Sequence, residues 1–248
     1  MKISIITVCF NSEKTVEKTI KSVLSQNYKK YEFIIIDGKS TDKTMKIIKK
    51  YKKNIKTIIS EKDEGIYDAI NKGINCSTGE VISILHSDNT FYDNKCTQKI
   101  MYYFKKNLKL DCLIGNTLIT SSNGKRTIRK YNANFFRKWM LYLGYSPPHP
   151  STFVKKKIYK KFGLYNKKYS IAGDYDFFVR ILFKKNFLFK RVNENFVKMK
   201  NGGKSTNSII SNYISSKEMI NSLTRHKIYS NWFLIVLRLP LKLFQYIV

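Results

Sequence analysis

Residues 3–10 read Ile-Ser-Ile-Ile-Thr-Val-Cys-Phe, a run rich in β-branched side chains and far too short to span a bilayer. A strand of this kind is buried on both faces, which calls for a parallel sheet covered by helices above and below. The same signal returns at residues 31–37 (YEFIIID), 55–60 and 81–85. Between these runs the apolar residues change to helical spacing. Val16, Ile20, Val23 and Leu24 follow the first run, with Ser12 as the expected N-cap. Met45, Ile47 and Ile48 lie within a predicted helix over 41–51, and a short helix is expected over 66–73. Strands alternating with helices predict an α/β fold with a parallel, doubly wound sheet. Ligands of such sheets bind beyond the carboxyl ends of the strands.

The polar residues directly after each strand are therefore the ones to read. They are Asn11, the segment 37–42, the segment 61–68, and the segment 86–89. Acidic or amide groups at four successive strand ends repel one another unless a cation or hydrogen-bond donors compensate. They also occur in a chain short of acid, with 47 Lys+Arg against 17 Asp+Glu and a net charge of +30. Residues 1–105 hold 12 of those acids against 19 bases, whereas residues 106–248 hold 5 against 28. The basic excess points to a polyanion: nucleic acid, an anionic membrane or a phosphate-rich substrate. With 43% hydrophobic residues the chain is not a disordered basic tail.

After about residue 108 the pattern changes. Strands are expected at 111–120 and 126–131, and an aromatic-rich helix at 135–143, with Trp139 and Tyr142 in the core. A Pro147-Pro148-His149-Pro150 bend and a helix over 174–187 follow, then a helical appendage over 206–248. The appendage carries Trp232, Phe233, Leu234 and Leu237, interrupted by Arg238, Pro240 and Lys242, a composition suited to a membrane interface. Cys9, Cys76, Cys96 and Cys112 are too scattered for a zinc site or a disulfide framework, so reduced thiols and a cytoplasmic location are expected.

Taken together, several segments resemble the inverting family 2 glycosyltransferases of bacterial surface-polysaccharide synthesis. They are Thr7-Val8-Cys9-Phe10-Asn11, Asp37-Gly38-Lys39-Ser40-Thr41-Asp42, the run from Glu61 to Gly73, Gly79-Glu80, Asp88, and Ala172-Gly173-Asp174-Tyr175-Asp176. The resemblance implies a GT-A fold, a nucleotide-sugar-binding mixed sheet flanked by helices. A glycosyltransferase domain would occupy 1–205, with its nucleotide half at 1–105 and its acceptor half at 106–205, followed by the C-terminal segment 206–248.

It also implies roles. Thr7, Phe10, Asn11 and Asp37, with Ser40 and Asp42 in the next turn, would hold the uracil and ribose of a UDP-sugar. Asp63, Gly65, Asp68, Asn71 and Lys72 would line the nucleotide and sugar side, and Ser87 would stand beside Asp88, the acid expected to bind Mn²⁺ or Mg²⁺. Asp174 would be the catalytic base, with His149, Asp176 and Lys204 on the acceptor side. Asp176 is equally readable as a salt-bridge residue, and Lys204 sits in a Gly202-Gly203-Lys204-Ser205 segment similar to a loop that closes over the donor. The expected partners are a nucleotide-sugar, a glycan or lipid-linked acceptor and the anionic inner face of the cell membrane, with no nucleic acid.

The chain departs from the family pattern in two places. His86 stands two before Asp88, and Asn89 directly after it, where carboxylates are common. Gly173 precedes Asp174 where many relatives have Glu. Two rival classes remain weaker. A basic nucleic-acid-binding protein would present a basic ligand edge, whereas this one is acidic. A sugar nucleotidyltransferase would carry a Gly-rich phosphate loop where this chain has Phe10-Asn11-Ser12-Glu13.

Overall fold

The computed structural model describes residues 1–121, 126–201, 209–243 and 245–246. Its first half follows the expected alternation: β1 (Ile3–Cys9), α1 (Val16–Leu24), β2 (Tyr31–Asp37), α2 (Thr44–Lys50), β3 (Thr57–Ser60), α3 (Ile66–Cys76) and β4 (Val81–Ile84). Next come β5 (Asn89–Phe91), α4 (Cys96–Lys106), β6 (Cys112–Thr120) and β7 (Thr127–Tyr131). A 3₁₀ turn at Lys138–Leu143, β8 (Thr152–Lys155), α5 (Lys156–Phe162), α6 (Gly173–Leu182) and β9 (Phe189–Lys200) complete the main body. The C-terminal part is α7 (Ile209–Arg225), α8 (Trp232–Val236) and α9 (Arg238–Leu243).

The strands form one sheet in the order β3-β2-β1-β4-β8-β6-β9-β5, with β7 also paired to β6. β3, β2, β1 and β4 are parallel, so their carboxyl ends share one edge. β8 then runs antiparallel to both β4 and β6, while β9 is parallel to β6 and antiparallel to β5. The sheet is thus mixed, and the purely parallel pattern read from the first half stops at β4. β5 and β8 have 3 and 4 residues, too few for a hydrophobic period to register.

Alternation along β1 separates two cores. Ile3, Ile5 and Cys9 pack with Val16, Ile20 and Val23 of α1 on one face. Ile6 and Val8 pack with Ile70 and Ile74 of α3, and with Phe177, Phe178 and Ile181 of α6, on the other. Each fully buried aliphatic or aromatic side chain contributes about 1.5–3 kcal/mol, so both helical layers are firmly attached.

Three local expectations need correction. Ser12 does not cap α1 with its side chain: its Oγ contacts the Phe10 carbonyl and Ser87 Oγ, and the helix begins at Val16. Residues 135–143 are not an α-helix, only the 3₁₀ turn from 138. At three residues per turn, Trp139 and Tyr142 share its outer face, so they are exposed by 53% and 40% while Met140 and Leu141 fill the core. The helix expected to reach residue 187 ends at Leu182.

The C-terminal helices dock on the main body. Asp176 accepts bonds from Ser222 Oγ of α7 (3.0 Å) and from His226 Nε2 just after that helix (3.2 Å), with Arg180 at 3.6 Å. Leu223 and Ile235 are fully buried, and Arg238 is enclosed with its Nη2 on Ser215 and Ser216. Among the described residues, no helix is long and apolar enough to cross a membrane.

Candidate active site

At the carboxyl ends of β1 and β2, two non-glycine residues take left-handed backbone conformations, Asn11 (φ 46°) and Lys39 (φ 63°). Such positions cost on the order of 1–3 kcal/mol and persist where surrounding bonds fix them. Here the bonds are present. Asn11 Oδ1 accepts the Thr41 amide (2.9 Å), and the Asn11 amide donates to Ser40 Oγ (2.8 Å). Asp37 lies fully buried beneath, receiving the Ser40 amide and hydroxyl and the Ser60 hydroxyl (2.6 Å). Asp37 therefore fixes the turn rather than facing outward. Outside it stand Phe10, 56% exposed, and Asp63, whose carboxylate lies so close over Gly38 that a Cβ there would meet it at 2.5 Å. Asp63 also accepts the Gly65 amide (3.0 Å), and Gly65 adopts φ 117°, ψ 174°, a region essentially reserved for glycine, directly before α3.

Asp88 follows β4 and lines a cavity of about 220 Å³ with Lys18, Lys198 and Lys200 and the hydroxyls of Thr15, Thr19, Thr90 and Thr120. Ser87 meets Ser12 (2.8 Å) and gives its carbonyl to Thr19. Nearby, His86 Nδ1 and both polar atoms of the Asn89 amide are buried without a partner among the described residues. Among those residues no group of three or more His, Cys, Asp or Glu could hold a metal ion. The donor set fits a cation held by one carboxylate with neutral N and O neighbours and completed by substrate oxygens, as is usual for Mg²⁺. It does not fit an all-protein cage.

A continuous row of side chains runs from His86 to the other core. The His86 ring lies 5.7 Å from the His149 ring, and His149 Nε2 is 3.0 Å from Tyr165 Oη. Tyr165 stacks on Tyr67 at 5.8 Å, and Tyr67 Oη donates to Asp174 Oδ1 at 3.3 Å. Burial, reinforced by His86, lowers the His149 pKa to about 3, so its ring is neutral in this row. Burial raises Asp174 to about 6, against the lowering influence of the Tyr175 amide (2.8 Å) and Tyr67. Both of these bonds fall on Oδ1, which leaves Oδ2 for a proton. Glu32, at the opposite end of β2, shows the contrast. Burial pushes it up, but bonds from Lys2, Ser4 and Thr78 prevail and hold it below the usual range. Of these two acids, only Asp174 is poised for proton transfer near neutral pH.

The remaining expected residues are enclosed or paired within the chain. Thr7 is fully buried, two residues short of the end of β1, and its Oγ1 has no hydrogen-bond partner among the described residues. Asn71 is buried, spanning the backbone of Tyr165 with both ends of its amide (2.8 and 3.0 Å). Asp42 receives the Glu13 and Thr44 amides at the start of α2. Asp68 and Lys72 pair with each other (3.3 Å), with Lys167 and Glu61 extending the network along the rim. Asp176 anchors α7, the structural role open to it in the sequence. Lys204 and its glycine-rich segment lie outside the described residues.

Two residues that contact the Asp174 region escaped the sequence reading. Tyr67 lay in a quoted segment without a role. Glu218 of α7, whose carboxylate accepts the Ile171 and Ala172 amides just before α6, gave no signal, being a lone acid on a remote helix.

A mixed sheet whose parallel strands end on one polar edge, with a carboxylate of raised pKa at the start of α6, is the frame in which the chain's relatives can be read. The model of the family "Glycosyl transferase family 2" matches residues 4–187, and the chain belongs to that family. A PGL/p-HBAD biosynthesis glycosyltransferase of Mycobacterium bovis is 26% identical over 180 residues, covering 71% of this chain and 68% of that protein. The poly-beta-1,6-N-acetyl-D-glucosamine synthase of Staphylococcus epidermidis is 37% identical over 123 residues, 49% of this chain but 30% of the relative. Among solved structures, S. aureus TarS 1-349 in complex with UDP-GlcNAc superimposes with TM-score 0.68 at 15% identity, covering 90% of this chain and 66% of that one. The mannosyltransferase PcManGT of Pyrobaculum calidifontis, in complex with GDP-Man and Mn²⁺, gives 0.65 at 11% identity, covering 91% and 64%. The chain thus spans about two thirds of the length of these structural neighbours. It is a glycosyltransferase with the GT-A fold.

Proposed function

We propose that this enzyme moves a sugar from a UDP donor to a glycan or lipid-linked glycan acceptor in surface-polysaccharide synthesis, with inversion at the anomeric carbon. The observation that carries the reading is Asp174: a half-buried carboxylate with pKa about 6, joined through Tyr67, Tyr165 and His149 to the acidic strand edge. Phe10 and Asp63 would receive the base and ribose on the turn that Asp37, Ser40 and Asn11 hold rigid. Asp174 accepts the proton of the acceptor hydroxyl as its oxygen bonds to the anomeric carbon. The bond to the diphosphate breaks on the opposite face, so one displacement inverts the centre. Lys18, Lys198 and Lys200 face Asp88 across the cavity and would offset charge building on the departing nucleotide. When bound, Mn²⁺ or Mg²⁺ would be held by Asp88, with His86 or Asn89 beside it, and would supply further neutralisation of that diphosphate.

Relatives support the coarse reading and divide on the donor, since one structural neighbour is named with UDP-GlcNAc and another with GDP-Man and Mn²⁺. A cytoplasmic enzyme attached to the inner membrane face agrees with the basic excess after residue 105. It also agrees with the exposure of Trp232 (45%), Phe233 (72%) and Leu239 (46%) on α8 and α9. Thermal denaturation with UDP, GDP and dTDP, each with and without Mn²⁺, tests the donor. At about 100 times Kd, UDP with Mn²⁺ should stabilise by about 2.7 kcal/mol, and GDP and dTDP by much less. A larger shift with GDP overturns the UDP assignment, and no shift with any nucleotide overturns the nucleotide-sugar site.

A further inference from the structure

We infer that Glu218, on a helix beyond the matched family region, is a positioning residue for the catalytic base. The inference rests on the transferase reading of Asp174. Glu218 lies on α7, and its carboxylate collects four donors from the turn that leads into α6. Oε1 accepts the Ser170 amide (2.7 Å) and hydroxyl (2.8 Å); Oε2 accepts the amides of Ile171 (2.9 Å) and Ala172 (2.7 Å). Ala172 is the N-cap of α6, and Asp174 is its second helical residue. From the other side, Tyr67 Oη donates to the Ile171 carbonyl at 2.5 Å. The turn is therefore gripped on its amides by α7 and on its carbonyl by α3, and Asp174 has little freedom to move.

Helix spacing explains why one element can do this. Glu218 and Ser222 stand four residues apart on one face of α7, and His226 follows directly after its last turn. Ser222 and His226 bind Asp176, and Glu218 reaches the turn below it. Without the acid, the successive amides of Ser170, Ile171 and the N-cap Ala172, just ahead of α6, would lose this acceptor. The carboxylate also carries charge toward Asp174. The groups that face Asp174 are Tyr67 from α3, Tyr131 from β7, Tyr165 from the loop after α5, and Glu218 from α7. Among them Glu218 is the carboxyl group, and its charge favours the protonated base.

The test measures nucleotide-sugar turnover against pH for the full chain and for Glu218→Gln, Glu218→Asp and Ser222→Ala. It is accompanied by ¹³C NMR titration of the Asp174 carboxyl, assigned by its loss in Asp174→Asn. Glu218→Gln should lower kcat by about 10- to 100-fold with the donor KM within about twofold, and should move the Asp174 titration to lower pH. Glu218→Asp, which keeps the charge but shortens the reach, should lower kcat and leave the titration in place. It also decides the matter if the glutamine variant does not fold. Ser222→Ala loosens α7 without touching the turn, and should lower Tm with kcat and titration unchanged. Wild-type kcat and titration in both Glu218 variants, or an equal kcat loss in Ser222→Ala, overturns the inference. A wild-type chain that turns over no nucleotide-sugar overturns instead the transferase reading, and the NMR titration still reads the coupling.

Discussion

Tyr67 and Gly173 interlock: a Cβ on residue 173 would lie 2.7 Å from the Tyr67 ring, whose hydroxyl stands 3.3 Å from Asp174 Oδ1. The glycine that departs from the family pattern is thus the space into which the tyrosine fits. Gly173→Ala should cost about 1–3 kcal/mol by overpacking. Removing the hydroxyl alone, in Tyr67→Phe, takes away a bond that lowers the Asp174 pKa, so the acidic limb of the rate profile should move to higher pH. A limb that stays in place would separate Tyr67 from the base.

Asp174 also sets a pH signature in stability. Its folded pKa, about 6, is raised above the ordinary carboxylate value, so between those values the folded state holds the extra proton. Its contribution to stability is therefore greatest below about pH 4, falls as pH rises through the folded pKa, and leaves a cost of about 3 kcal/mol at pH 7. Asp174→Asn removes that cost and should raise Tm at pH 7 by about 6–12 °C, with no gain at pH 4. Calorimetry at both pH values reads the difference.

The first half of the fold was legible because each of β1, β2 and β4 is buried on both faces, and β2 begins and ends where its sequence does. Polar residues at the carboxyl ends of these strands pointed to the edge where Asn11, Ser40 and Asp88 stand. The short strands β5 and β8 have no period to read, and they are what turn the parallel sheet into a mixed one. Thr7 and Asn71 show a second limit. Their side-chain chemistry suits a nucleotide, but Thr7 is fully buried and a backbone 94 residues away claims Asn71. Glu218 shows a third, since its partners at Ser170–Ala172 are set by tertiary packing alone.

Phe10 provides a direct measure of the base site. It is 56% exposed, so Phe10→Ala should leave Tm within about 1 °C. If the base stacks on this ring, nucleotide affinity should fall by about 1–3 kcal/mol, read by titration calorimetry. Unchanged affinity would move the base elsewhere along the edge.

Membrane attachment is tested on exposed residues, because deleting the segment would also strip Ile235 from the core. Phe233→Ser with Val236→Ser, both exposed on α8, should weaken association with phosphatidylglycerol vesicles by about 10-fold or more while preserving Tm. Binding equal to that of the unaltered chain would remove α8 from the membrane contact.

The central claim is that Asp174 takes the acceptor proton. Nucleotide affinity and sugar transfer from the nucleotide-sugar should be measured together for Asp174→Asn. Nucleotide Kd within about threefold of the unaltered chain, with transfer lowered about 10²–10⁴-fold, is the predicted result. Near-normal transfer by Asp174→Asn would contradict it.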